Sequence, residues 1–258
     1  MFSKAIVRTP SRSMGRGITE AGLGCPNMDM ALAQHKNYTN YLKNAGIHVT
    51  ELAPVEEYPD SVFVEDTAVM IPFSGGTAVF LTCPGAAPRR GEVEAISAAV
   101  SAYTEETIRM EGDGLMEGGD VLLMGRTFYV GIDTRTNRSG YEQFASAAKR
   151  FGLTAVPVPF DRGMPHLKTE LSALDAETLI MSRRFAEREE FAGFRKIIIP
   201  EGESYSANCL YLGEKLLAPA GFPATAEMLD KNGFTPDFIE MSEFRKMDGG
   251  LTCLSLRW

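Results

Sequence analysis

The sequence predicts an α/β fold built from about five copies of one small unit, arranged radially or stacked rather than as an open doubly wound sheet. Three observations predict it. A polar loop, two short apolar runs across a tight turn, a helical stretch and a further apolar run recur along the chain. The copies share this order more than they share residues, and no linker or low-complexity tract separates them, so the 258 residues read as one large domain or two small ones. The chemistry-bearing residues Asp60, Glu65, Asp66, Glu117, His166 and Cys253 fall in the polar loops of four copies, which a radial arrangement brings to one axis.

Taken in order, Lys4–Arg8 reads as a first strand and residues 9–23, rich in Gly, Ser and Arg, as a loop. Pro26 opens a helix whose Met28, Ala31, Leu32, His35, Tyr38, Tyr41 and Leu42 recur at helical spacing, and Gly46 ends it. Residues 47–53 form a strand. Three carboxylates, Asp60, Glu65 and Asp66, then flank a compact apolar run; so close to strand residues they need solvent, a partner or a cation. Gly75-Gly76 turns into a strand over 77–82, and residues 92–103 are helical. Glu117-Gly118-Gly119-Asp120 leads into strands 121–124 and 128–132, helix 141–151 and strand 153–160. Pro165–Lys168 reads as a polar loop and strand start, with strand pieces at 171–174 and 178–181. Residues 204–208 lead into strands 209–212 and 216–219 and helix 225–231. The final copy is the C-terminal stretch, preceded by residues 238–241, with Cys253 near the mouth of a strand entered through Gly249-Gly250.

Composition narrows the function. The chain carries 26 basic and 34 acidic side chains, a formal charge of -8, with no Lys/Arg cluster, which argues against nucleic acid as a partner. No apolar run approaches the roughly 20 residues of a membrane span, and Phe2–Ile6 is followed by charge rather than by a secretory core. The four cysteines, Cys25, Cys83, Cys209 and Cys253, form no CxxC pair, so a zinc site or disulfide scaffold is not expected and a reducing cytoplasm is. The histidines are His35, His48 and His166. The first two read as an ordinary helix-face and strand-edge histidine.

Cysteine, histidine and carboxylates together suggest nucleophilic catalysis: a thiolate attacks, an imidazole moves protons, a carboxylate orients the imidazole. Asp60 and Asp66 would repel a thiolate in an empty pocket, which makes sense for a cationic substrate. A guanidinium, with its forked donors, suits two carboxylates. Arg89 and Arg135, in loops after the second strand of a copy, could hold a substrate carboxylate or be surface arginines.

At this point the chain resembles a known family. Arg8-Thr9-Pro10, Gln34-His35, Pro59 to Asp66, Glu117 to Val121, Thr134 to Asn137, His166-Leu167-Lys168, Glu203 to Cys209 and Asp248 to Arg257 together look like dimethylarginine dimethylaminohydrolase, nearly end to end and in order. The resemblance implies a five-bladed α/β-propeller of repeated ββαβ modules, pentein-like, around a central active site, in a single catalytic domain over residues 1–258. It implies no cofactor and no metal, a methylated arginine as small-molecule substrate, and room for a homodimer. It marks Cys253 as nucleophile, His166 as general acid/base and Glu117 as the carboxylate behind that histidine. Asp60 and Asp66 match guanidinium-binding positions, Glu65 the same pocket wall, and Arg89 and Arg135 the pair at the amino-acid end. Ile18 falls where the family has a leucine in a mobile flap, and Thr252 where some members have serine. Arginine deiminases of the same superfamily carry His-x-Asp where this chain has His166-Leu167-Lys168. Two alternatives stay open: a sister guanidino enzyme (a deiminase or amidinotransferase), and a non-catalytic protein that binds arginine-like metabolites.

Overall fold

The computed structural model describes residues 2–160 and 163–258. In chain order it holds β1 (Lys4–Arg8), α1 (Met28–Asn44), β2 (His48–Leu52), β3 (Ala68–Phe73), β4 (Gly76–Leu81), α2 (Gly91–Ser101) and β5 (Glu106–Arg109). Then follow β6 (Val121–Met124), β7 (Thr127–Ile132), α3 (Arg138–Arg150), β8 (Thr154–Pro159), α4 (Leu167–Glu170), β9 (Leu171–Ala173), β10 (Thr178–Met181) and β11 (Arg195–Ile198). The last elements are β12 (Leu210–Tyr211), β13 (Leu216–Pro219), α5 (Pro223–Lys231), β14 (Asp237–Ile239), α6 (Ser242–Arg245) and β15 (Leu256–Arg257).

The strands form five three-stranded sheets, each with one antiparallel and one parallel pairing. Four modules are sequential: β3-β4-β5, β6-β7-β8, β9-β10-β11 and β12-β13-β14. The fifth is closed by the two ends of the chain, with β15 antiparallel to β1 and β1 parallel to β2. The C-terminal stretch therefore completes the first module, and the strand near Phe238 belongs to the module before it, which corrects the expectation of a separate last copy. Short strands with one buried edge cannot stand alone. Apolar side chains between modules supply what each sheet lacks, in clusters such as Val69, Ile71, Phe80, Val121, Phe128 and Phe144.

Local chemistry explains where the elements start. Helix α1 begins at Met28 because the Asn27 carboxamide accepts from the Asp29 and Met30 N–H groups at 3.1 Å, so Pro26 precedes the cap instead of opening the helix. Asn137 caps α3 through the Gly140 N–H at 2.8 Å, three residues ahead of the expected start. The strands β5 and β11 were not foreseen. The β9-β10-β11 module has 3₁₀ turns at Arg183–Phe185 and Glu189–Phe191 where other modules carry a helix. Its buried Phe185 and Phe191 lie six apart, which no helical stripe accommodates.

One helical turn precedes the first strand of every module: Val64–Thr67, Gly118–Asp120, α4, Ser204–Ala207 and Thr252–Leu254. Pro165–Lys168 is thus a loop and helix start, not a strand start, and Cys253 sits within a 3₁₀ turn ahead of a strand only two residues long. Hydrogen bonds join the five turns into a closed ring. The Gly119 N–H donates to Asp66 Oδ1 and the Leu167 N–H to Asp120 Oδ1, both at 2.9 Å. Asn208 Nδ2 donates to the Lys168 carbonyl at 2.8 Å, and Asn208 Oδ1 accepts from the Thr252 N–H at 2.9 Å. Thr252 Oγ1 donates to Glu65 Oε2 at 2.8 Å, which returns the ring to its first turn. Among the described residues no helix is long and apolar enough to cross a membrane.

Candidate active site

The ring of turns delivers the site. Ile18, Asp60, Asp66, Arg89, Arg135, His166 and Cys253 line one pocket, together with Phe63, Pro165, Met247, Asp248 and Gly249. Glu117 stands directly behind His166, fully buried, with Oε2 at 2.6 Å from the imidazole Nε2. Its other oxygen accepts from the Ala86 N–H at 3.0 Å, and Arg135 Nη1 reaches Oε2 at 3.4 Å. Asp66 Oδ1 lies 3.6 Å from the same imidazole nitrogen, and Oδ2 forms an ion pair with Arg89 at 2.5 Å. Gly119 allows this approach: a side chain there would collide with the His166 ring.

The electrostatics follow from burial against charge. Burial alone would push the His166 imidazole down, but Asp66, the bond to Glu117 and the charge of Asp120 outweigh it and hold the group up at about 9. Burial likewise favours neutral carboxyls, yet His166 holds Asp66 and Glu117 below the usual carboxylate range, with Arg89 and the Gly119 N–H also acting on Asp66. Cys253 goes the other way. Burial first, then the charges of Glu65 and Asp66, push its thiol up to about 12, against the Gly250 N–H, which donates to Sγ at 3.4 Å. At neutral pH the pocket therefore holds an imidazolium beside a neutral thiol. Asp66, Glu117 and His166 offer three donor atoms within 4.8 Å of one another, a set that could hold a metal. Each is already engaged: the imidazole by Glu117, Asp66 by Arg89 and Gly119, Glu117 by Ala86 as well.

Two expected residues sit differently from the rest. Glu65 lies outside the pocket lining. It accepts from Lys168 at 2.6 Å, Arg257 at 2.9 Å and Thr252 at 2.8 Å, and so holds the turn that carries Cys253 from behind. Arg89 is buried with its donors committed to Asp66, to Glu92 and to the carbonyls of Asp60 and Phe63. Arg135 is about a quarter exposed and lines both the inner pocket and an outer cavity shared with Glu20, Asp133, Thr134 and Asp248.

The loop over the pocket is latched at two points, one between the expected Ile18 and Asp60 and one at Asp248, to which sequence reasoning gave no role. The Ile18 N–H donates to both oxygens of Asp60, at 3.2 and 3.1 Å. Asp248 Oδ2 accepts from Thr19 Oγ1 at 3.0 Å and from the Glu20 N–H at 2.6 Å. Asp248 has a φ of 58°, a left-handed conformation that costs a non-glycine residue energy. Its position just before Gly249-Gly250 was the available signal. With this loop down the inner pocket encloses about 30 Å³, the share of a single water, whereas the outer cavity measures about 430 Å³.

Known proteins resemble the chain along its whole length. The family model described as N,N dimethylarginine dimethylhydrolase, eukaryotic, matches residues 26–180. The N(G),N(G)-dimethylarginine dimethylaminohydrolase of Pseudomonas aeruginosa is 39% identical over 259 residues, covering 100% of both chains. A solved structure of a cysteine-to-serine variant of the Pseudomonas aeruginosa protein, complexed with citrulline, superimposes with a TM-score of 0.93 at 38% identity and full coverage of both chains. A histidine-to-glycine variant of a dimethylarginine dimethylaminohydrolase, solved as its adduct with S-methyl-L-thiocitrulline, also gives 0.93, at 39% identity and 100% coverage of both. The fold is the pentein propeller of five ββαβ modules.

Proposed function

The chain belongs to the dimethylarginine dimethylaminohydrolase family, and from that premise we propose that it hydrolyses Nω-methylated L-arginine to L-citrulline and methylamine or dimethylamine. The observation that carries the reading is the convergence of Cys253, Asp66 and a Glu117-backed His166 on one pocket that also holds Asp60 and Arg135. All five modules act as one catalytic unit, because the ring of turns that builds the pocket draws on each of them.

A thiol pushed up by neighbouring carboxylates suits a substrate that brings its own positive charge. When the guanidinium enters beside Asp66, it offsets the carboxylate field and lets Cys253 ionise, its proton leaving to solvent because His166 is already protonated. The thiolate then attacks the guanidinium carbon to give a tetrahedral adduct. The bond to the methylated nitrogen breaks, and the departing amine takes its proton from His166, already an imidazolium. An S-alkylthiouronium remains on Cys253. His166, now neutral, removes a proton from water, which attacks the same carbon; the C–S bond breaks and citrulline leaves. Glu117 occupies Nε2 and leaves Nδ1 as the nitrogen free to exchange these protons.

Substrate orientation follows from the two cavities. Arg135 faces the outer one, which supports a grip on the substrate carboxylate while the guanidinium occupies the inner pocket. Arg89 serves through Asp66, which it holds in place; a grip by Arg89 on the same carboxylate requires it to exchange a present partner. Glu65 acts from behind, through Thr252. Entry of an amino acid needs more than about 30 Å³, so the loop at Ile18 must lift and close again over the substrate. The four free cysteines support a reducing, cytoplasmic setting. The resemblance carries the expectation of a homodimer, which sedimentation of the purified chain tests.

The orientation is tested by a pair of variants. Arg135→Ala raises KM with little change in kcat, because it removes a contact made equally in ground and transition states. Asp66→Asn lowers kcat at least tenfold along with kcat/KM, because it removes a charge-assisted contact at the reacting end. The reverse pattern would turn the substrate round.

A further inference from the structure

Thr252 and Cys253 are neighbours on one turn but line different cavities. Cys253 faces the active site, while Thr252 faces a second cavity of about 160 Å³ that shares no lining residue with the active-site pocket. Its walls include the apolar side chains of Val69, Leu122, Leu123, Phe128 and Leu210, and into it are set three charged groups: Glu65, Lys168 and Arg257. Both cations converge on one carboxylate oxygen, Lys168 Nζ at 2.6 Å and Arg257 Nη2 at 2.9 Å from Glu65 Oε1. Their side chains are only 10% and 9% exposed. An arginine does not give up its proton in a protein. Two cations against one anion leave the cavity with one surplus positive charge, and among the described residues Glu65 is the only carboxylate that lines it.

Charge in so apolar a setting demands a counterpart. Arg257 Nη1 is satisfied by the carbonyls of Thr252 and Ser255, at 2.9 and 2.7 Å, and by Ser255 Oγ at 2.7 Å. Its Nε is buried on the Tyr38 side of the group. The Tyr38 hydroxyl, bonded to Ser255 Oγ at 2.6 Å, keeps a lone pair that can accept from the Arg257 guanidinium. Thr252 Oγ1 is spent on Glu65 and Ser172 Oγ on the Ala207 carbonyl. The Phe2 ring lies 5.8 Å from the guanidinium and covers it from one side. Two cationic side chains against one carboxylate, in a cavity with room for an ion and a few waters, make a receptor for a single negative charge. The apolar walls disfavour a polyvalent, strongly hydrated ion.

We propose that this cavity is a binding site for one small monovalent anion of the halide class, held by Lys168 Nζ and the Arg257 guanidinium. The site is separate from the chemistry at Cys253, and Glu65 is the member common to the anion receptor and the support of the nucleophile's turn.

The test uses bromide and chloride as probes on the full chain. Crystals grown with bromide in place of chloride are measured at the bromine edge, and an anomalous peak is expected in the cavity within contact of Lys168 and Arg257. In solution, the excess chloride NMR linewidth produced by the protein is expected to be displaced by bromide and to fall at least fivefold in Lys168→Met and in Arg257→Gln. Lys168→Met leaves the Arg257–Glu65 pair intact, so it decides the matter if the other variant does not fold. A cavity without an anomalous peak at saturating bromide, or a linewidth unchanged in folded Lys168→Met, overturns the proposal.

Discussion

Cys253 and His166 are held in opposite protonation states from the ones a simple nucleophile and base would need. The thiol is pushed up to about 12 and the imidazole up to about 9, so at neutral pH the free site contains the acid of the reaction but not yet its nucleophile. A cationic substrate resolves this by entering among the carboxylates. Cys253→Ser abolishes turnover with the fold intact, since a hydroxyl without a strong base is a far weaker nucleophile, and in the unmodified chain a cationic haloamidine labels Cys253 at least tenfold faster than neutral iodoacetamide at pH 7. Equal labelling rates would remove the carboxylates from the activation of the thiol. kcat/KM rises with pH along a limb that levels near pH 9, because the reactive thiolate–imidazolium pair carries one proton fewer than the free site at neutral pH, and His166 has the lower of the two raised pKa values. Glu117→Gln removes the carboxylate bonded to Nε2, so the limb moves down toward the ordinary histidine value of about 6.5. A pH–rate profile measured on both proteins checks the direction; an unmoved limb would mean that His166 does not set it.

The element that matters most is a single helical turn used five times. Four of the five carry or adjoin a residue of the candidate site, and side-chain and backbone hydrogen bonds lock each turn to the next. Asn208 makes two of these links. Its truncation to alanine leaves the Lys168 carbonyl and the Thr252 N–H without partners, a loss of about 3 kcal/mol for two buried groups. Asn208→Ala is therefore expected to lower Tm and also to cut kcat, because Thr252 adjoins the nucleophile; urea unfolding and steady-state rates on the same preparation check both. A full loss of stability with unchanged kcat would show that the ring supports the fold but not the chemistry. These turns are also where sequence reading fell short. A turn of three or four residues shows no periodicity, so His166 looked like a strand start and Cys253 like part of a strand, although the glycine and acidic motifs beside them were visible. The helix starts at Asn27 and Asn137 were missed for another reason: Pro26 and Tyr141 drew the eye, while the capping carboxamide decided the boundary.

At the scale of the whole molecule, the ββαβ repeat was legible because apolar runs, tight turns and helices recur in fixed order. The closure was not, since the pairing of β15 with β1 joins residues at opposite ends of the chain and leaves no local trace. The same distance hid the role of Glu65: only the closed ring brings Arg257, Lys168 and Thr252 to its carboxylate. That arrangement bears on substrate choice. In the position where arginine deiminases are expected to carry a second guanidinium-binding acid, this chain has Lys168, and its ammonium is turned to Glu65 and lines the second cavity, not the active site. The inner pocket thus lacks a carboxylate that an unsubstituted guanidinium would need, and each donor left unpaired costs about 1–3 kcal/mol. A methylated guanidinium has fewer donors and an apolar edge to offer the same site.

The decisive measurement is a competition between asymmetric dimethylarginine and arginine, with dimethylamine, ammonia and citrulline quantified from the same reaction. The expected result is citrulline with dimethylamine, and a preference for the methylated substrate of at least tenfold in kcat/KM, equivalent to about 1.4 kcal/mol of transition-state discrimination. Ammonia released from arginine as fast as dimethylamine from the methylated substrate would contradict the account and make the chain a deiminase.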